Sequence, residues 1–175
     1  MPETGPDARS GRTTNVRILP AERKDIPLIL SFVRKLAEYE RLLDTVVADE
    51  DALSNTLFGA RPVAEVILAY IDNEPVGFAV YFQTFSTFIG RPGIYVEDLF
   101  IEPAYRSKGV GKAVLEYLAR LTQHRGCARL SWAVLDWNQP AIEFYRKLGA
   151  IPLDDWTVFE LSGTALERLA HPGSK

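Results

Sequence analysis

The chain has 175 residues, of which 47% are hydrophobic and 25% charged, the balance of a soluble globular protein of one ordinary domain. Its 20 Lys and Arg against 23 Asp and Glu leave a net charge of −3, which argues against nucleic-acid binding driven by excess cations, though a local basic patch is still allowed. A single cysteine, Cys127, excludes an internal disulfide and a cysteine-rich metal site, and no apolar run approaches the roughly 18 residues of a membrane span.

Residues 1–14 are rich in Pro, Gly, Ser and Thr and read as a disordered polar tail rather than a secretory signal. Val16–Leu19 alternates as a short strand that Pro20 ends. Asp25 is a plausible cap for a helix over Ile26–Glu40, whose apolar residues Ile26, Ile29, Leu30, Val33, Leu36 and Ala37 recur at helical spacing. A shorter helix is predicted near Asp49–Phe58, stopped by Gly59. Two strands follow, Ala64–Ile71 and Pro75–Phe85, joined by a hairpin turn at Asp72-Asn73-Glu74. Arg91-Pro92-Gly93 reads as a further turn, and Ile94–Ile101 as a strand rich in β-branched and aromatic residues. A helix over Gly109–His124 buries Val110, Val114, Leu118 and Leu121 and ends at Gly126. Arg129–Leu135 is the next strand. Pro140 opens a helix running to Leu148, capped by Gly149. A last strand, Thr157–Leu161, precedes a short amphipathic segment. The order predicts a mixed central sheet with an antiparallel first half, and a right-handed crossover joining parallel strands at 94–101 and 129–135.

The stretch that carries chemistry is Arg106-Ser107-Lys108-Gly109-Val110-Gly111, between a strand and a helix. Two glycines let backbone approach a bulky anion. The unbonded N–H groups and dipole of the helix start favour phosphate oxygens there, and Arg106 and Lys108 add positive charge. A Walker loop fails, because Arg106 stands at its first glycine and Ala113 at its hydroxyl position. The dinucleotide fingerprint fails at Val114. What remains is R-x-x-G-x-G, which by itself fits either a pyrophosphate cradle or a solvated loop with a glycine-assisted helix start.

With its surroundings, the motif resembles the GCN5-related N-acetyltransferase (GNAT) superfamily, and within it the diamine and thialysine acetyltransferase branch. The resemblance rests on V-E-D-L-F-I at 96–101, on R-x-x-G-x-G, on W-N-x-P-A-I-x-F-Y-x-K-L-G-A at 137–150, and on Leu36-Ala37-Glu38-Tyr39-Glu40. It implies an α/β acyl-CoA acyltransferase fold over 15–172, a single domain whose sheet splays between the strands at 94–101 and 129–135. It implies acetyl-CoA as co-substrate and no metal. Its pantetheine arm would lie along the backbone of Leu99, Phe100 and Ile101, and its pyrophosphate on Arg106, Ser107, Lys108, Gly109, Val110, Gly111 and Lys112. Asn138, Ala141 and Tyr145 complete the cofactor contacts, and Asn138 also suits a helix cap.

Acetyl transfer needs a neutral amine, a place for its proton, and an acid for the leaving thiolate. The resemblance gives Tyr145 the role of acid and sets Glu97 near the amine, for electrostatic binding and proton relay. In a regular strand Glu97 and Asp98 point to opposite faces, and Glu97 is preferred for the site. Tyr39 and Glu40 match a substrate-contact pair, and Asp154 and Asp155 are either solvated or part of acceptor binding. Segment 84–93 lacks the acid and tryptophan of the diamine enzymes. The acceptor is therefore left as a small cationic amine: thialysine, a short diamine or a lysine-like compound. An antibiotic or protein amine, or a non-catalytic acyl-CoA-binding module, is the alternative. A cytoplasmic homodimer without nucleic-acid or membrane partners is expected.

Overall fold

The computed structural model describes residues 15–172. The tail at 1–14 lies outside them. The described chain divides into two compact units, one ending at Ala133 and the other beginning at Val134.

The first unit is a sheet in the order β1 (Val16–Pro20), β2 (Glu65–Ile71), β3 (Glu74–Ser86), β4 (Arg91–Ile101), β5 (Leu130–Trp132). The first three pairings are antiparallel and the last is parallel. Alternation along β2 sorts its residues between two cores. Ile67, Ala69 and Ile71 enter one with Ile94, Val96 and Ile101 of β4, and with Val110, Val114 and Leu118 of helix α3 (Val110–His124). Val66 and Leu68 enter the other with Phe78 and Phe100, and with Ile29 and Phe32 of helix α1 (Ile26–Glu40). Helix α2 (Glu50–Phe58) joins this second core through Leu53 and Leu57, and its start is fixed by the Asp49 carboxylate, which accepts from Ala52 N–H at 2.8 Å. Each helix thus covers one face of the sheet. Gly77 is required where β3 meets β4, because a Cβ there would fall 2.4 Å from the Phe100 carbonyl oxygen.

Helix α1 spans the residues its periodicity marks, and β4 and β5 are parallel neighbours joined through α3. Three expectations give way. The turn set at Arg91-Pro92-Gly93 is strand, paired Ser86↔Arg91, Phe85↔Pro92 and Thr84↔Gly93. The hairpin instead turns at Thr87–Gly90, where Gly90 takes φ 66°. A proline near the start of a strand loses only one ladder bond. The strand at Arg129–Leu135 shrinks to Leu130–Trp132, because the Leu135 carbonyl accepts from Asn138 N–H at 2.8 Å in the turn before the next helix.

The second unit holds helices α4 (Gln139–Lys147) and α5 (Gly163–Ala170). The strand expected at Thr157–Leu161 is not formed there: no strand pairs with it among the described residues, and Val158 and Phe159 are each 91% exposed. Alternating β-branched and aromatic residues make a strand only against a neighbour. No helix among the described residues is long and apolar enough to cross a membrane.

Arg125 forks onto the Glu65 carboxylate at 2.5 and 2.7 Å, and the Tyr81 hydroxyl donates to the same group at 3.2 Å. The hydrogen bond from Arg125 holds the Glu65 carboxyl below its usual range, against the opposing pull of burial. A lowered carboxyl contributes stability above its unfolded pKa of about 4.3, lost as pH falls through the folded value. Arg125→Ala is expected to lower urea stability by about 1 kcal/mol at pH 7. The difference should vanish once acid has protonated Glu65; a deficit that persists there would assign the effect to lost packing.

Candidate active site

The site of the first unit begins with a miscount between two strands. Val80 pairs with Asp98 and Tyr81 with Val96, so Glu97 is an extra residue on β4, a β-bulge. Val96 and Leu99 both face the core under α3, and Asp98 shares the opposite, α1-side face with Phe100. The expectation that Glu97 and Asp98 point to opposite faces is therefore corrected. The bulge takes up one step of alternation and puts both acids on the α1 side.

Glu40, at the end of α1, joins them. Burial pushes the Asp98 carboxyl up to about 6, and the charges of Glu97 and Glu40 push it the same way. Burial also raises Glu40. Tyr95, two residues back, is raised by burial and by Glu97. The charges of Glu97 and Glu40 thus bear on Asp98, and the sheet face under the end of α1 is acidic. Asp98 is the residue that sequence reasoning left out. The E-D pair was visible, but the bulge that unites it depends on the register of β3.

The second feature is the edge of β4. Strand β5 pairs only with Ile94, Tyr95 and Val96, so among the described residues Glu97–Ile101 has no strand beside it on that side. This stretch includes the backbone of Leu99, Phe100 and Ile101, and an extended group could lie along it as a strand would. Phe100 and Ile101 are buried and Leu99 half-buried, so their side chains serve the two cores.

The third is the loop into α3. Ser107 takes φ 61° and Gly109 φ 83°, both left-handed, and a Cβ built on Gly109 would meet nothing within 4 Å. Gly109 caps a 15-residue helix with no side-chain hydrogen bond and no acid in its first turn. The N–H groups of Val110, Gly111 and Lys112 have no acceptor within the helix. An open, uncapped helix start fits a pyrophosphate. Lys108 Nζ stands 4.8 Å from the centre of the Tyr105 ring, and Lys112 pairs with Glu116, one turn further along α3, at 3.3 Å. Arg106 is engaged elsewhere. Its Nε donates to the Ile101 carbonyl at 3.0 Å, and its guanidinium lies 4.3 Å from the centre of the Tyr39 ring.

The second unit holds the remaining candidates. Asn138 caps α4, its Oδ1 accepting from Ala141 N–H at 3.4 Å. Tyr145, half-buried on the same helix, has its ring 5.4 Å from that of Phe144. Asp154 and Asp155 form an exposed turn. Trp132 packs against the α3-side core of the first unit, whereas Trp137 and Trp156 are exposed. Cys127 is buried in that same core. Among the described residues, no group of three His, Cys, Asp or Glu side chains is placed to hold a metal ion.

Residues 33–150 match the Acetyltransferase (GNAT) family. Over 166 residues the chain is 37% identical to a thialysine N-epsilon-acetyltransferase of Bos taurus, an alignment covering 89% of this chain and 97% of that protein. It is 28% identical to the L-ornithine N5-acetyltransferase of Arabidopsis thaliana, over 97% of this chain and 92% of that one. In three dimensions it is similar to an integron cassette protein from the mobile metagenome of V. cholerae. The TM-score there is 0.74 at 27% identity, covering 89% and 97% of the two chains. Extent, identity and fold agree with the motifs, and the chain belongs to the GNAT acetyltransferase family, on the branch of the diamine and thialysine N-acetyltransferases.

Proposed function

We propose that this N-acetyltransferase moves an acetyl group from acetyl-CoA to a primary amine of a small cationic metabolite, by direct attack with both substrates bound. The observation that carries the reading is the pair Glu97 and Asp98, which the β4 bulge sets on the face covered by α1, with the charge of Glu40 from α1 bearing on Asp98. An acceptor that carries a second cation suits three acids, and the names of the relatives point the same way: thialysine and ornithine each bear more than one amine.

The residues divide the work as follows. Acetyl-CoA supplies the activated acyl group. The start of α3 holds its pyrophosphate, and the free edge of β4 at Leu99–Ile101 holds its pantetheine arm. An alkyl ammonium has a pKa of about 10.4, so the acceptor arrives charged. Asp98 and Glu40 bind that charge. Glu97 takes the departing proton through water, and Tyr145 donates one to the leaving thiolate. Holding two reactants in register contributes up to about 7–11 kcal/mol to the rate. The enzyme works as a cytoplasmic homodimer in this reading, following its branch.

The test is release of CoA thiol from acetyl-CoA across a panel of amines: thialysine, ornithine, lysine, putrescine, spermidine, an aminoglycoside and a peptide N-terminus. Saturable release is expected with the short cationic amines. Release with the aminoglycoside or the peptide alone would replace the acceptor class. CoA binding without release from any amine would favour a binding module over an enzyme.

A further inference from the structure

We propose that Arg106 is a positioning residue that makes cofactor and acceptor binding depend on each other, and that it does not serve as a charge on the pyrophosphate. The inference rests on the acetyl-CoA reading above and adds to it how the two halves of that site communicate. One side chain touches three parts of the fold. Its backbone begins the loop Arg106-Ser107-Lys108-Gly109. Its Nε donates to the carbonyl of Ile101, the last residue of β4, at 3.0 Å. Its guanidinium lies 4.3 Å from the centre of the Tyr39 ring and 5.8 Å from that of Phe100. Tyr39 stands one residue before Glu40, whose charge bears on Asp98. One turn earlier on α1, Lys35 pairs with Glu102, in the turn that leads to the same loop.

The geometry needs arginine. A guanidinium presents a flat face to an aromatic ring while an in-plane N–H meets a carbonyl, and an ammonium does only one of these at a time. A group that orders the loop at 106–109 thereby holds Tyr39 in place, and Tyr39 held in place fixes the end of α1. Binding on either side lowers the ordering cost on the other, and the coupling is reciprocal.

The test is CoA affinity by calorimetry for the parent, Tyr39→Phe, Tyr39→Leu, Arg106→Lys and Arg106→Ala, with hydrogen exchange of residues 101–109 in the ligand-free proteins. Tyr39→Phe keeps the ring and is expected to keep the affinity. Tyr39→Leu, on the acceptor side, is expected to weaken CoA about 3- to 5-fold and to speed exchange in the loop. Arg106→Lys should match Arg106→Ala despite its charge, and adding Tyr39→Leu to Arg106→Ala should weaken CoA no further. If Arg106→Lys behaves as the parent, or the two losses multiply, Arg106 acts as a phosphate charge and the proposal is overturned. If the parent itself does not bind CoA, the functional reading falls. The exchange data then still decide whether Tyr39 orders the loop.

Discussion

Tyr145→Phe is expected to lower kcat by about 100-fold or more, the range of a lost general acid, while leaving CoA affinity unchanged. At pH 7 a phenol of pKa about 10 still carries its proton, and it can give that proton to a thiolate as the carbon–sulfur bond breaks. Phenylalanine keeps the ring and the contact with Phe144 but has no proton to give. The residual rate would come from positioning, which the substitution leaves in place. Single-turnover measurement with bound acetyl-CoA isolates the chemical step. An unchanged single-turnover rate would remove Tyr145 from the chemistry and return it to the role of a packed helix tyrosine.

The second large effect is expected at Asp98, with opposite signs for stability and function. Its folded pKa of about 6 lies above the ordinary carboxylate value. Protonated Asp98 suits its half-buried place, so the stability is fully present below about pH 4 and is lost as pH rises through 6. The rise of the Asp98 carboxyl to about 6 corresponds to roughly 3 kcal/mol of lost stability at pH 8. Asp98→Asn is neutral at every pH and escapes this penalty. The variant should therefore melt several degrees higher than the parent at pH 8 and close to it at pH 4. It should also raise KM for a cationic acceptor about 10-fold or more, because one of three carboxylates is gone. In the parent, acceptor affinity should fall as pH drops below 6, and the variant should lose that dependence. A variant less stable than the parent at pH 8 would mean that Asp98 is held by favourable contacts and is not a strained anion.

Sequence made much of the fold legible, because period and punctuation agreed. The run Ile26, Ile29, Leu30, Val33 marks α1, Gly126 ends α3, and the Arg106–Gly111 loop sits where a strand passes into a helix. The losses share a cause: each depends on what a neighbouring strand does. Pro92 and Gly93 look like a turn, yet they pair with β3. Thr157–Leu161 alternates as a strand, yet no strand flanks it among the described residues. Alternation sets Glu97 and Asp98 on opposite faces, a rule that the bulge suspends at Glu97. The contact of Arg106 with Tyr39 is hidden for the same reason, because that ring lies 67 positions earlier in the chain. A motif names the residue type, and only the tertiary contact shows which neighbour holds it.

The bulge at Glu97 makes this strand tolerant of a change in length. Deleting one residue from a strand ordinarily turns every later side chain to the wrong face. Here the extra residue is already uncompensated: Val96 and Leu99 sit on one face with two residues between them instead of one. Loss of the single codon for Glu97 would leave Leu99 and Ile101 on the α3 side and Phe100 on the α1 side, as they are now. This strand thus has a position where an in-frame deletion removes an acid and keeps the faces of the core residues that follow it.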